Sequence, residues 1–301
     1  MDNRAQVRDF LVSRRARITP AQAGLPAYGG NRRVKGLRRE EAALLAGVSI
    51  DYYIRMERGD LAGASEAVLD GVANALQLDE AEREHLRALA HSARPSTTRR
   101  ARPSQDTVRP VIQQVLDAIT EAPAWIRNAR HDILAMNPLA RALYAPVLDS
   151  AAAGATPKRA ANTARFIYLD PAARDFFIDY DRMATDAAAM LQLEAGRNPH
   201  DKALITLVGE LSTQSELFRQ HWASHNVKYH RSGRKRLRHP AVGELDLNFE
   251  AMELPSEPDL RLNLYTADPG TPTADGLKLL ASWAATRAAD NTSARDAHNA
   301  R

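Results

Sequence analysis

The chain of 301 residues contains no cysteine. This absence excludes disulfides, thiolate metal sites and a cysteine nucleophile, and it is compatible with a reducing cytoplasm. The sequence also lacks any run of about 18 apolar residues, so we expect no transmembrane helix. Its first residues, MDNRAQVRDF, contain no apolar stretch, so we expect no signal peptide. We therefore expect a cytoplasmic protein with no membrane partner.

Signatures of enzymes are missing as well. The sequence has no GxSxG, no GxGxxG after a strand and no Walker loop. The acidic residues Asp170, Asp175 and Asp179 in LDPAARDFFIDY are better explained by helix capping and solvation than by acid–base chemistry. We predict that the protein is not an enzyme, that it has no catalytic residues and that it needs no cofactor.

Three histidines in HWASHNVKYH raise the question of a metal site. His221 and His225 are four residues apart, a spacing that lets two side chains on one helix face share a metal ion. No glutamate follows the first histidine as in HExxH, and His230 is expected to lie beyond the helix. We therefore predict hydrogen-bonded or solvated histidines and no metal site.

The net charge of +4 is distributed unevenly. Residues 1–103 carry 18 lysines and arginines against 13 acids, whereas residues 104–301 carry 23 against 24. Residues 4–39 alone contain ten basic residues and one acid. A face of this kind can neutralise phosphates and release counterions. The alternative is a solvated arginine-rich surface.

Hydrophobic periodicity predicts a helical N-terminal domain over residues 1–93. The expected helices cover 3–17, 38–46, 50–58, 66–77 and 80–92, with a basic loop rich in glycine and proline before the second one. Ser65 is a candidate N-cap, and Asp79 with Glu82 has the spacing of a capping box. The polar, basic residues 94–105 are typical of a linker.

A second domain is expected over 106–287, with a disordered tail over 288–301. Its first helix has Val111, Val115, Leu116 and Ile119 on one face. AWIRN and DILAMN (124–128 and 132–137) predict a hairpin, and helices follow to about residue 226. The last helix is expected over 274–287.

Two later stretches alternate between apolar and polar residues, which predicts a sheet covered on one side. They are GELDLNFEAM and LRLNLYT, with Leu245, Leu247 and Phe249 in the first and Leu260, Leu262 and Leu264 in the second. Between the helices and these strands lies KYHRSGRKRLRH (228–239), with six lysines and arginines and no acid. We predict a solvated hairpin tip there, and contact with DNA phosphates is the alternative.

The stretch GLRREEAALLAGVSIDYYIRMERG has the features of a helix-turn-helix. Ala43 is small where two helices must cross closely, and Gly47 suits the left-handed position that ends a helix. Val48 is apolar inside the turn, and the hydroxyl of Ser49 can cap the next helix. A tight turn of this kind leaves the second helix free to enter the major groove.

The second helix of this motif has an inward and an outward face. Tyr53 and Met56 fall on the inward face, and Gly59 ends the helix. Arg55 on the outward face can read guanine through two hydrogen bonds. The alternatives for Arg55 are a phosphate contact or an ion pair with Asp51, four residues earlier.

The pattern AxxxGVS…Y…ME-R-G resembles the Cro/Xre type of helix-turn-helix. The longer string RRVKGLRREEAALLAGVSIDYYIRMERG is similar to that of the MmyB-like transcription regulators, RRVPGLRREEVAxLAGVSxxYYxRLEQG. Lys35 replaces the usual proline, Ala42 the usual valine, and Met56-Glu57-Arg58 the usual Leu-Glu-Gln. The resemblance and the helix geometry together imply binding of double-stranded DNA. The two-fold symmetry of operators that such helices bind implies a homodimer. The implied DNA-binding residues are Arg32, Arg33, Lys35, Arg38, Arg39, Ser49, Ile50, Asp51, Tyr52 and Arg55.

The resemblance continues through the second domain in the blocks PAWIRNARHDILAMNPLARALYAP, FIYLDPAARDFFIDY, GRNPHDKALITLVGELSTQSELFRQHW, HPAVGELDLNFEAMELP and YTADPGTP. It implies an all-α helix-turn-helix domain followed by an α+β PAS-like domain with a small antiparallel sheet. It also implies a small apolar ligand, with a long-chain fatty acid associated with the family's pocket.

Apolar side chains that can line such a pocket are Trp125, Leu134, Met136, Phe218, Trp222, Leu247, Phe249, Met252 and Leu264. The alternative is that they form only the core. A carboxylate head would need a cation near the pocket mouth, for which Arg127, His221, His225 and Lys228 are candidates. The rival function for this domain is a protein-interaction module without a ligand.

Overall fold

The computed structural model describes residues 2–26, 34–93, 107–154, 156, 159–229 and 231–299, with the backbone alone for 287–299. It divides into two compact units. The first unit contains residues 1–102, 188–209 and 219–229, and the second contains 103–187, 210–218 and 230–301. The predicted linker lies outside the described residues.

Five helices form the N-terminal part of the first unit. They are α1 Asn3–Arg17, α2 Arg39–Ala46, α3 Ile50–Glu57, α4 Glu66–Ala75 and α5 Glu80–Ser92. Two caps are as expected: Ser65 accepts from the backbone N–H of Val68, and Asp79 and Glu82 accept from each other's backbone N–H. The side chain of Asp2 also caps α1 by accepting from the backbone N–H of Arg4. These local hydrogen bonds explain why the helix starts agree with the periodicity within one residue.

Later segments of the chain complete the core of this unit. Three later helices are α11 Tyr180–Arg197, α12 Lys202–Gln214 and α13 Glu216–Ala223. The first unit includes α11 from residue 188, α12 up to residue 209 and α13 from residue 219. Leu193 and Val227 are buried in one cluster with Phe10, Leu86 and other side chains of α1–α5. This division differs from the contiguous domains predicted at 1–93 and 106–287, because apolar faces far along the chain pack against the N-terminal helices.

The second unit is built on one five-stranded antiparallel sheet. Its strands are β1 Ala124–Asn128, β2 Ile133–Met136, β3 Ser232–His239, β4 Gly243–Leu254 and β5 Glu257–Thr266, in the order β2-β1-β5-β4-β3. Its helices are α6 Pro110–Ala118, α7 Pro138–Leu143, α8 Ala145–Leu148, α9 Thr163–Leu169, α10 Ala172–Phe176 and α14 Pro272–Asn299, besides the first part of α11, the end of α12 and the start of α13.

The two apolar stripes of the sheet face opposite sides. Phe249 pairs with Tyr265, and Glu250 pairs with Leu264, so Phe249 and Leu264 point away from each other. Leu247 and Phe249 lie on the face of the sheet that packs against α7 and α14, which we call the helical face. Leu260, Leu262 and Leu264 pack with α6 on the second face. The sheet is therefore covered on both sides, and the expectation of a single covered side is wrong.

Other predictions about this unit also need correction. The stretch 228–239 is mostly the edge strand β3, not a hairpin tip, and its burial alternates along the strand. On α6, Val111 and Val115 are exposed, while Leu116 is buried. The last helix, α14, continues to Asn299, where a disordered tail was expected. Among the described residues, the structure contains no helix that combines the length and the apolar character needed to cross a bilayer.

Candidate DNA-binding helix and ligand-binding sheet

The turn between α2 and α3 has the predicted geometry. Gly47 adopts φ 68°, a left-handed conformation that a side chain would strain. The backbone N–H of Val48 donates to the carbonyl of Ala43 at 3.1 Å, and Val48 packs partly buried on the core. The hydroxyl of Ser49 accepts from the backbone N–H of Tyr52 at 3.2 Å and caps α3. The turn therefore fixes the direction in which α3 leaves α2.

The two faces of α3 are confirmed. Tyr53 and Met56 are fully buried, while Ile50, Asp51 and Arg55 are exposed. Tyr52, also expected on the outward face, is half-buried and packs against the core. Arg55 lies over the ring of Tyr52, with its guanidinium carbon 4.7 Å from the ring centroid. Its ion pair is with Asp60 at 3.7 Å, not with Asp51 as one alternative proposed. The exposed face of α3 therefore presents a mixed set of polar and apolar groups that suits base edges.

A buried carboxylate holds α3 against the rest of the unit, and sequence reasoning missed it. Glu57 is 1% exposed and pairs with Arg15 of α1 at 2.5 Å and with Arg39 of α2 at 2.6 Å. The signal was available, because Glu57 follows Tyr53 by four residues and so shares its inward face. Two cations from two helices thus meet one acid at the end of α3, which fixes all three helices together.

The predicted DNA-binding residues before and at the start of α2 have different surroundings. Lys35 and Arg38 are exposed beside the start of α2, and Arg38 also pairs with Glu40 at 3.4 Å. Arg39 is half-exposed but engages Glu57. Arg32 and Arg33 lie outside the described residues. Lys35, Arg38 and Arg39 thus lie on the surface at the start of α2, where Arg39 is also paired with Glu57.

The nine predicted ligand-binding residues do not lie on a single surface. Trp125 and Met136 are cross-strand partners, and they share the helical face with Leu247 and Phe249. Leu134, Met252 and Leu264 belong to the second face, with α6. Phe218 is buried against the ring of Tyr168 in the second unit, whereas Trp222 belongs to the first unit. The register of the sheet thus places the predicted ligand-binding residues of its strands on two opposite faces.

The helical face also contains buried polar side chains that the sequence did not single out. The hydroxyls of Tyr144 and Tyr265 are 2.7 Å apart, and Lys235 Nζ donates to Tyr265 Oη at 3.1 Å. The ammonium of Lys235 lies 5.3 Å from the ring centroids of both Phe249 and Tyr265. Burial, and then the charges of Arg127 and Lys235, hold the pKa of His131 well below its usual range. The alternation of Lys235, Leu237 and His239 was the overlooked sequence signal.

The other candidate cations for a ligand's carboxylate are divided between the units. Arg127 is buried on β1, next to this polar group, and donates to the carbonyl of Asn128 at 3.3 Å. His221, His225 and Lys228 belong to the first unit. Within the described residues, no group of three or more potential metal ligands occurs. His225 lies beyond the end of α13, so it does not share a helix face with His221.

The first unit contains a helix-turn-helix, and the second contains an antiparallel sheet with helices on both faces. Comparison with known families shows to which class of protein this combination belongs. Residues 13–86 match the helix-turn-helix domain family, and residues 108–280 match the MmyB-like transcription regulator ligand binding domain. Because the second match covers more than half of the 301 residues, the chain belongs to the MmyB-like transcription regulators. Comparison with curated proteins gives no match.

The family matches and the five-stranded antiparallel sheet confirm the predicted fold class. Both families are domains of transcription regulators.

Proposed function

We propose that this DNA-binding regulator senses a small apolar ligand, a long-chain fatty acid or a similar amphiphile, which changes its affinity for DNA. In the proposal, α3 enters the major groove and reads an operator. The second unit takes up the ligand, and the protein acts in the cytoplasm without a cofactor. Regulation then requires that the ligand bind the DNA-competent and DNA-incompetent arrangements with different affinity.

The wholly or partly exposed residues of the turn and of α3 support the DNA-binding part. Ser49, Ile50, Asp51, Tyr52 and Arg55 are proposed to face bases or backbone, and Lys35 and Arg38 are proposed to bind phosphates. One recognition helix reads only one half-site, so we propose a homodimer on a pseudo-palindromic operator.

The observation that carries the proposal is that a single helix contributes to both units. Residues 180–187 of α11 belong to the second unit, and residues 188–197 belong to the core of the first. We therefore propose that α11 links ligand binding in the second unit to the DNA-binding helices of the first.

Polar contacts in the first unit strengthen this connection. The buried guanidinium of Arg14 in α1 donates to the carbonyl of His225 and pairs with Glu82 at 2.7 Å. Burial lowers the pKa of Arg14 to about 10. Arg197 at the end of α11 pairs with Glu84 of α5. Helix α1 therefore contacts His225, and helix α5 contacts Arg197. Both contacted residues come after β1 and β2 in the sequence.

The test is a titration of fluorescent operator DNA, selected from a random library, with the full-length protein. Anisotropy gives the affinity with and without saturating dodecanoate, at two salt concentrations. We expect specific binding whose affinity changes at least fivefold with dodecanoate. Specific binding that stays indifferent to dodecanoate and other amphiphiles, together with capture of a protein partner, would favour the rival interaction module. Binding equal to that on random DNA and lost at high salt would remove the base-reading role of α3.

A further inference from the structure

Asp51 is an acid without a partner on the outward face of α3. It lies in the first turn of the helix and is exposed. With the residues that the structure describes, its carboxylate forms no hydrogen bond and no ion pair. Ser49 caps the helix two residues earlier, and Tyr53, two residues later, is fully buried on the opposite side of α3. The carboxylate is therefore available to a hydrogen-bond donor of a bound molecule.

The neighbouring acids differ from Asp51 in this respect. The four other acids between residues 34 and 65 each have a partner: Arg38 for Glu40, the backbone N–H of Arg38 for Glu41, Arg15 and Arg39 for Glu57, and Arg55 for Asp60. Arg55 follows Asp51 by one helical turn, but its guanidinium pairs with Asp60 and lies over the ring of Tyr52. The cations of this region therefore leave the charge of Asp51 uncompensated.

A free carboxylate on this face is unfavourable beside DNA unless a base donates a hydrogen bond to it. The phosphates of DNA are negatively charged and repel it. In the major groove cytosine presents only a donor, its N4 amino group, whereas guanine presents two acceptors and thymine presents an acceptor and a methyl group. Adenine presents a donor beside an acceptor. An ionised carboxylate only accepts hydrogen bonds, so it matches cytosine best.

We propose that Asp51 selects cytosine in each operator half-site by accepting a hydrogen bond from its N4 amino group in the major groove. This inference rests on the proposed entry of α3 into the major groove, and it names the base that one residue reads. On DNA of other sequence the charge of Asp51 faces acceptors and phosphates, so the same residue weakens binding there. An acid that served only the dipole of α3 would have no influence on the preferred base.

The test uses operator DNA selected from a random library by the wild type, with each cytosine replaced in turn by N4-methylcytosine. This methyl group replaces the N–H that points into the major groove, while the base still pairs with guanine. Anisotropy measures the affinity of the full-length wild type, Asp51→Ala, Asp51→Asn and the control Glu40→Gln for these operators and for random DNA. Glu40 is also an exposed acid of the helix-turn-helix, but it is paired with Arg38.

For the wild type and Glu40→Gln we expect one cytosine in each half-site whose methylation weakens binding about tenfold, as for the loss of one base contact. Asp51→Ala should bind the methylated and unmethylated operators equally. It should also bind random DNA at least about twofold more tightly than the wild type, because it lacks a charge that phosphates repel. Asp51→Asn should bind operators with adenine at this position as tightly as those with cytosine, since an amide forms two hydrogen bonds with adenine.

Three results would overturn the proposal. They are a wild type that tolerates methylation of every cytosine, a sensitivity to methylation that persists in Asp51→Ala, and an equal loss of affinity for operator and random DNA in Asp51→Ala. The third result would leave Asp51 as a residue that only supports the helix. Melting temperatures of the variants should stay close to that of the wild type, because the side chain is exposed.

Failure of the proposed function looks different. If the wild type selects no common sequence from the library, α3 does not read bases, and this part of the function falls together with the role of Asp51. If the wild type selects an operator but Asp51→Ala keeps its base preference, the DNA-reading function stands and the role of Asp51 falls. If Asp51 selects cytosine but dodecanoate leaves operator affinity unchanged, the role of Asp51 stands and the sensor function falls.

Discussion

Replacing Gly196 by alanine should break the packing of α11 on the DNA-binding helices. A Cβ atom at position 196 would lie 2.4 Å from Nδ1 and 2.5 Å from Cε1 of His85. The imidazole cannot easily move away, because His85 is buried and its ring packs edge-on against Phe10 with centroids 4.9 Å apart. Alanine at this position therefore requires a shift of α11, of α5 or of both.

The size of the effect follows from a matched control. Gly209 of α12 is also helical, and a Cβ atom there would meet nothing within 4 Å. Gly209→Ala should raise the free energy of unfolding by about 0.5–1 kcal/mol, the usual gain from glycine to alanine in a helix. Gly196→Ala has the same gain but also the cost of overpacking, about 1–3 kcal/mol. The two variants should therefore differ by about 1–3 kcal/mol.

Urea unfolding followed by circular dichroism measures this difference, and operator titrations measure its consequence. We expect Gly196→Ala to be less stable than Gly209→Ala, and to show a smaller effect of dodecanoate on operator affinity. If both variants are stabilised equally, then Gly196 does not approach His85 in solution. The claim that α11 packs closely on the DNA-binding helices would then be refuted.

Three further predictions concern single residues of the first unit. Glu57→Gln leaves Arg15 without its buried counter-charge, so it should lower the free energy of unfolding by about 3 kcal/mol in urea unfolding. The control Glu40→Gln, on the surface, should change the free energy of unfolding little. Arg55→Ala should weaken binding to the operator more than to random DNA in anisotropy titrations, and an equal loss on both would reduce Arg55 to a phosphate contact. Burial lowers the pKa of His85 to about 3, so its neutral form is favoured in the folded state. The contribution of neutral His85 to the free energy of unfolding is complete above pH 6.5 and is lost as the pH falls toward 3, by about 1.4 kcal/mol per pH unit. His85→Gln should therefore reduce the fall of the free energy of unfolding between pH 7.5 and 5, measured by urea unfolding at each pH.

The helix-turn-helix could be predicted residue by residue because its determinants are local. Gly47 and Ser49 act within a few residues of their own position, so the sequence around them contains the whole signal. The inward placement of Tyr53 and Met56 follows from helix periodicity alone. Glu57 was overlooked because a charged residue is rarely buried unless cations from other helices pair with it.

The parts that could not be predicted depend on contacts between distant segments. Periodicity shows that α11 has an apolar face but not that Leu193 packs with α1 and α5. Likewise, alternation shows that Phe249 and Leu264 each lie on an apolar face, but only the register shows that these faces are opposite. Lys235 was assigned to a basic surface with its neighbours, although the burial of alternate residues separates it from Arg234 and Arg236.

Thermodynamic reciprocity gives the most direct test of the central claim, that ligand binding in one unit controls DNA binding by the other. Calorimetry would measure the affinity of the full-length protein for dodecanoate, first alone and then saturated with operator DNA. The account predicts that operator changes the dodecanoate affinity by the same factor, at least fivefold, by which dodecanoate changes the operator affinity. A dodecanoate affinity that is the same with and without operator would contradict the claim.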